Sequence, residues 1–458
     1  MKSLRLFVPL LVLLLITPVR GQDGPISGGP MLGPVTHREA TVWVQTTGDA
    51  DVQLRYSVTD FPQEGVTPRS RQLSTETINT SDANDHIALF RLTDLEPGWT
   101  YSYQIHIDGQ PIEFARPLEF TTQTLWQWRT DPPAFTAALG SCAYIADEPY
   151  DRPGDPYGGN FEIFDSIADM DPDVMLWIGD NVYYREVDWW SPEGLAYRQR
   201  HDRSFRQLQR LLSTAPNYAT WDDHDYGPNN SDRSYILKGE ALETFQRYWP
   251  NPSYGLPDTP GVFYNFLFND VEFFMLDNRY YRTPNNAPTD PDDDTILGAS
   301  QLQWLLDALQ SSYAPFKVIV SGGQVLNPNE VFETYINIAP AERQYLLDEI
   351  ERRDIWGVMF LSGDRHHAEL NRMERDGSYP LYEFTSSPLT SGAATNIRDS
   401  ENPYRVDGTL VTGQRNFGTM TVDGPRTERV MTLRTYSSTG ELIWEYTIAA
   451  NDLRPPRD

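Results

Sequence analysis

An α/β unit preceded by an all-β domain is the expected architecture, and two patterns along the chain predict it. Between residue 22 and residue 125, short runs rich in Val, Ile, Tyr, Phe and Thr recur with turn residues between them. After residue 133, strand-like runs alternate with amphipathic helical ones, which is how helices come to cover a sheet. A chain of 458 residues is longer than one hydrophobic core usually serves, so two units are expected. With 39% hydrophobic and 12% aromatic residues it can bury a large core.

In the N-terminal part, strands are expected at Thr41 to Gln45, Val52 to Val58, His86 to Arg91 and Thr100 to Ile107. The run Leu95-Glu96-Pro97-Gly98-Trp99-Thr100-Tyr101 resembles the tyrosine corner of a fibronectin type III sandwich, where a Tyr pins the start of a strand. The resemblance implies a fibronectin type III-like domain over residues 22–125. It holds no cluster of ionisable residues suited to catalysis, so support or surface contact is its expected task. Residues 126–133 read as a linker. Beyond it, strands are expected at Ala137 to Gly140, Val174 to Ile178, Asn217 to Thr220, Glu272 to Leu276, Lys317 to Ser321, Trp356 to Leu361 and Leu381 to Phe384. Helices are expected near Phe161 to Ala168, Leu195 to Leu212, Gln301 to Gln310 and Ala341 to Arg352. The acidic run TDPDDDT, residues 289–295, lacks the Gly and terminal Glu of a calcium-binding helix-loop-helix and reads as a solvated loop.

Residues 1–21 have the layout of an export signal: Lys2 and Arg5, an apolar run from Leu6 to Ile16, then Val19 and Gly21 before the expected cut. No paired Arg precedes the apolar run, which favours the general export route. The run is short for a bilayer span, and no later segment approaches the roughly 20 apolar residues that a span needs. The mature protein is therefore expected without a transmembrane anchor, in the periplasm or outside the cell, as a monomer. A formal charge of −28 repels a phosphate backbone, so no specific nucleic-acid binding is expected.

The single cysteine is the sharpest compositional signal. Cys142 has no partner within the chain for a disulfide, and in an oxidising compartment a free thiol is at risk. It reads either as a small buried hydrophobe or as a thiolate held by a metal.

Four clusters follow one expected strand each: GSC at Gly140 to Cys142, GDNVYY at Gly179 to Tyr184, WDDHDYGPNN at Trp221 to Asn230, and SGDRHH at Ser362 to His367. Side chains at the carboxyl ends of strands in an open α/β sheet converge on one crevice. Converged, these clusters offer a thiol, carboxylates, phenols and imidazoles, which is a metal-binding inventory. Taken singly each is weak, because a GD pair often makes an ordinary turn. Their joint placement is more telling, since three of the seven His residues and the only Cys fall within them.

Those four motifs, in that order and behind an N-terminal β domain, resemble the PhoD-type alkaline phosphatases and phosphodiesterases of the calcineurin-like metallophosphoesterase superfamily. The resemblance implies a two-sheet sandwich flanked by helices over residues 134–458, with ferric iron and calcium at one edge, other divalent metals being possible. It implies that Cys142, Asp180, Tyr183 and His366 hold iron, and that Asp180 bridges to calcium with Asp223 and Asp364. Oxygen donors suit calcium, while thiolate, phenolate and imidazole suit iron. His366 is placed ahead of the adjacent His367 by motif alignment. Asn229 and Asn230 are candidates to complete the calcium shell.

The implied activity is hydrolysis of phosphate mono- or diesters, with a small phosphate ester as substrate. Two cations would bind the ester oxygens and lower the pKa of a water between them from about 15.7 toward about 7. His224 is then placed to protonate the leaving oxygen, or to support Asp223. Arg365 and Asn230 are candidate substrate contacts, and Asp222 and Asp225 are expected to orient their neighbours. Two other readings remain open: a phospholipase-like phosphodiesterase, and a non-catalytic, metal-stabilised surface-binding protein.

Overall fold

A computed structural model of the chain describes residues 24–61, 72–151, 153, 157–158, 161–285, 293–331, 333–397 and 401–455. The export-signal segment and most of the acidic run 289–295 lie outside the described residues. Among the described residues, no helix is long and apolar enough to cross a membrane.

The N-terminal strands form two facing sheets. One holds Ile26–Val35, Ala40–Thr46 and Ile87–Leu92, and the other is built around Ala50–Asp60 paired with Thr100–Ile107. Alternate residues of these strands, such as Val42, Val44, Val52, Leu54, Tyr101, Tyr103 and Ile105, close a core between the sheets. The Tyr101 hydroxyl accepts a 2.8 Å hydrogen bond from the Glu96 amide, five residues upstream, as a tyrosine corner requires. Ile26–Val35 was not expected as a strand, because its sequence ISGGPMLGPV is crowded with Gly and Pro.

Two six-stranded sheets follow. The first runs Asn217–Thr220, Val174–Ile178, Phe135–Gly140, Asn416–Asp423, Val430–Ser437, Leu442–Ala449. The second runs Tyr264–Phe268, Val271–Met275, Phe316–Ser321, Val358–Ser362, Leu381–Thr385, Glu369–Met373. Each contains a parallel block, in register as Gly140 with Trp177 and Ile178 with Thr220, and as Ser321 with Ser362 and Ser362 with Thr385. Period-two alternation sends Leu139, Leu176 and Ile178 into the core between the sheets, and Ala138, Met175 and Trp177 outward beneath helices. The expected helix from Leu195 to Leu212 is two helices, Pro192–Arg203 and Arg206–Leu212, separated at Ser204 and Phe205. The chain turns there so that Leu208, Leu211 and Leu212 reach the outer face of the first sheet.

The N-terminal sandwich docks on that helical layer. Trp43 donates from Nε1 to the Arg247 carbonyl at 2.9 Å, Arg200 pairs with Asp85 at 2.6 Å, and Tyr248 bonds the same Asp85 carboxylate. The buried Arg203 guanidinium lies 4.7 Å from the Trp249 ring, 4.9 Å from Tyr248 and 5.8 Å from Trp43.

The corner is testable alone. Tyr101→Phe keeps the ring in the sandwich core and removes one hydrogen bond, so urea unfolding should show a loss of about 1 kcal/mol. Unchanged stability would mean that the Glu96 contact holds nothing in place.

Candidate metal centre

The carboxyl ends of both parallel blocks meet, and backbone hydrogen bonds stitch them together. Leu389 donates to the Ser141 carbonyl across the two blocks at 2.8 Å, and within them Gly363 donates to the Gly322 carbonyl at 2.9 Å and Cys142 to Gly179 at 3.3 Å. The approach is tight enough to require glycine twice. A Cβ at Gly179, whose φ is +105°, would lie 2.9 Å from the Asp222 Cβ, and one at Gly363 would lie 2.6 Å from the Ser141 Cβ. Immediately beyond the strands, Cys142, Asp180, Asp364 and His366 take left-handed φ values of +59°, +53°, +63° and +55°. Four non-glycine residues in that region at one sheet edge are held there by their surroundings, as is common where side chains are aimed for function.

One group of side chains surrounds Asp180 Oδ2. Cys142 Sγ lies 3.5 Å from it, and Tyr183 Oη lies 3.3 Å from it and 3.4 Å from His366 Nε2. Ser387 donates to Cys142 Sγ at 3.2 Å and accepts from the His366 amide at 3.0 Å, and Ser391 Oγ lies 3.4 Å from His366 Nε2. A second group holds Asp180, Asp222, Asp223 and Asp364, each with an oxygen within 4.8 Å of the others; Asp180, Asp223 and His224 are equally close. The sequence thus located Cys142, Asp180, Tyr183, His224, Asp223, Asp364 and His366 in one place. His367 points elsewhere: its ring bonds the Arg365 carbonyl at 3.0 Å and faces Glu369 at 3.6 Å, fully buried.

The flanking residues are arranged to hold these groups. Asp225 accepts from the amides of Asn181 at 2.9 Å and Asp222 at 3.0 Å, fastening the GDNVYY loop to the WDDHDY turn. The His224 amide donates to Asp180 Oδ1 at 3.2 Å and to Asp223 Oδ1 at 2.9 Å, while its ring stacks on Tyr183 with centroids 4.1 Å apart. Asn230 reaches the cluster through its backbone, donating to Asp223 Oδ2 at 2.6 Å. Arg365 is buried, and its charge acts on Asp364 and His366. Asp222, expected to orient its neighbours, does more. Its Oδ1 accepts from Asn278 at 2.7 Å and from Arg279, whereas its buried Oδ2 has no hydrogen-bond partner and belongs to the carboxylate group. Nothing in the run DDH distinguishes the first Asp from the second, and the Arg279 that sets it apart is far along the chain.

Electrostatics test whether a cation fits. Burial pushes the Asp180 carboxyl well above its usual range, with Asp223 and Cys142 adding to the shift. Burial also raises Asp364 to about 8, reinforced by Asp222, Glu333 and Asp223. At Asp223 burial is outweighed by His224 and Arg279, which hold it low. Burial lifts the Cys142 thiol and the Tyr183 phenol and lowers His224 and His366. Buried carboxylates this close must keep protons or gain a cation, and the buried Asp222 Oδ2 has no hydrogen-bond donor to share its charge. The residues present fit metal binding.

A model of the PhoD-like phosphatase family matches residues 138–429, more than half of the chain. The chain belongs to the PhoD-like phosphatase family. Residues 24–125 match a domain of unknown function. Among curated relatives, alkaline phosphatase D of Bacillus subtilis (strain 168) is 26% identical over 369 residues, covering 68% of this chain and 60% of that protein. Among solved structures, one of PhoD aligns with a TM-score of 0.75 at 17% identity, covering 94% of this chain and 91% of the other. A purple acid phosphatase from seeds of yellow lupin (Lupinus luteus) aligns with a TM-score of 0.63 at 14% identity, covering 93% and 76%. At such identities both speak for the fold, and they agree with the mixed α/β architecture expected for a PhoD-like phosphatase.

The raised carboxyl groups make a pH prediction for the metal-free protein. Folded Asp364 and Asp180 bind protons more tightly than in the unfolded chain; the Asp364 contribution to stability is full below about pH 4 and is lost as pH rises through about 8, and Asp180 acts in the same direction. Melting temperatures of chelator-treated protein should fall across that window, and added metal should raise them most at the alkaline end. A pH-independent melting temperature after chelation would contradict the picture of crowded carboxylates.

Proposed function

We propose that the protein is an exported phosphoesterase that hydrolyses small phosphate esters, mono- or diesters, at an iron and calcium centre. The reading is supported above all by the position of Asp180, whose carboxylate borders both donor groups. On one side Cys142, Tyr183 and His366 complete a thiolate, phenolate and imidazole set suited to ferric iron. On the other, Asp223 and Asp364 offer the oxygen donors that a calcium ion takes, and other divalent metals would also be accepted. The layout of residues 1–21 supports export to the periplasm or beyond.

When bound, the two cations supply Lewis acidity, withdrawing charge from ester oxygens and lowering the pKa of a water to near neutrality. The chain's own residues contribute placement and proton transfer. Asp225 and the left-handed turns fix the donors before substrate arrives, so no reorganisation is needed during reaction. His224 is held by its amide against Asp180 and Asp223 and by its ring against Tyr183; burial disfavours its charged form and the neighbouring Asp223 carboxylate favours it, and that imidazolium gives a proton to the leaving oxygen. Arg365 and Asn230 line the substrate side, the first as a cation for a phosphate oxygen. The N-terminal sandwich supports the helical layer behind the site.

Reconstitution with iron and calcium followed by assay on a panel of mono- and diesters tests the reading. Asp180→Asn and Cys142→Ala should each abolish hydrolysis of a chromogenic ester while the fold persists by circular dichroism. Full turnover by metal-quantified Asp180→Asn protein would remove the bridge. For His224→Ala, kcat should drop about 10²- to 10⁴-fold with an alkyl ester and far less with a nitrophenyl ester. An equal drop for both leaving groups would remove His224 as the acid.

A further inference from the structure

The carboxylate-lined site belongs to a chain of net charge −28, yet the substrate assigned to it is an anion. Cations near the site therefore matter, and those from the strand end after Val271–Met275 are already neutralised. Arg279 pairs with Asp222 and, at 2.5 Å, with Glu333; Arg282 pairs with Glu333 at 3.1 Å.

Arg185 is placed differently. It directly follows Tyr183 and Tyr184, on the loop after Val174–Ile178, and its side chain is only 8% exposed. Its Nε is buried without a hydrogen-bond partner. Its carboxylate contact is Glu186, 3.5 Å away and 55% exposed, which is too long and too wet to offset a buried guanidinium fully. The guanidinium lies 6.0 Å from the centre of the Tyr144 ring; that ring packs edge-on against Tyr183 at 4.9 Å, and Tyr183 stacks on His224. The loop is tied down on both sides, by the Arg185 amide donating to Asp188 at 2.8 Å and the Tyr184 amide donating to the His224 carbonyl at 3.2 Å. A desolvated cation with an open donor is costly unless something anionic meets it.

We propose that Arg185 is a phosphoryl clamp that grips terminal oxygens of the substrate and makes the site favour phosphate monoesters over diesters. The assignment rests on the phosphoesterase reading of the same site. A guanidinium presents parallel donors that match two oxygens of one phosphoryl group. A monoester dianion offers more free oxygens and one more charge than a diester, so a fixed guanidinium gains more from it. The sequence pointed to Arg365 for this task, and Arg185 adds a second cation from the opposite loop.

The test is calorimetric titration of inorganic phosphate into metal-loaded wild type, Arg185→Lys and Arg185→Gln, with metal content and melting temperature measured for each. Arg185→Gln should bind phosphate about ten- to hundredfold more weakly at unchanged metal content, and Arg185→Lys should lose less. The monoester-to-diester ratio of kcat/KM should fall by a similar factor in Arg185→Gln. Equal phosphate affinity in wild type and Arg185→Gln overturns the clamp, and so does a wild type that binds no phosphate. Loss of metal from both variants also overturns it, leaving Arg185 a loop-packing residue. Arg185-dependent phosphate binding without turnover of any ester supports the clamp while sinking the phosphoesterase reading.

Discussion

Mutual repulsion among buried carboxylates is the constraint around which this structure is arranged. Asp180, Asp222, Asp223 and Asp364 bring oxygens within 4.8 Å of one another, the first three buried and Asp364 half-buried. Like charges at that separation in a low-dielectric interior oppose folding unless protons, cations or fixed donors compensate them. Compensation comes from several directions: Arg279 on Asp222, backbone amides on Asp223 and Asp225, and a raised proton affinity at Asp180 and Asp364. The two sheets serve as the frame that keeps these groups together. Their parallel blocks end at the same level, and the turns beyond them are too short to let the carboxylates drift apart.

The same constraint explains why residues around the centre look over-determined. A left-handed φ at a non-glycine residue costs on the order of 1 kcal/mol or more, and here four occur at one edge. Three of the four are locked by a bond to a neighbouring loop: His366 through Ser387, Cys142 through Gly179, Asp180 through the Ala143 amide. Strain dispersed over several loops lets no single side chain relax without moving the others. That is a physical basis for a site already shaped for its ligands.

Much of this was legible in the sequence because strand ends in an α/β fold leave a regular mark. Val174 to Ile178 followed by Gly-Asp, and Val358 to Ser362 followed by Gly-Asp, show both the buried strand and the turn that ends it. What was not legible depends on tertiary contacts. Ile26–Val35 pairs in a sheet despite three Gly and two Pro, since its partners Trp43 and Val42 supply the packing that its own residues lack. The strands Asn416–Asp423, Val430–Ser437 and Leu442–Ala449 lie beyond the last expected strand, although alternate burial in the second is plain once its neighbours are known. The separate fates of His366 and His367 are decided by Ser391 and Glu369, which no local pattern reveals. Asp222 and Arg185 owe their surroundings to Arg279 and Tyr144, residues distant in the chain.

Cys142 began as a chemical liability, an unpaired thiol in a chain with the layout of an exported protein. Its sulfur has no solvent exposure and lies behind Ser387 and Asp180. Peroxide or a dissolved disulfide can reach it only if the loops around the centre part. Its inertness is therefore borrowed from the closure of those loops, and the rate at which alkylating or oxidising reagents consume the thiol becomes a clock for how often the sheet edges breathe.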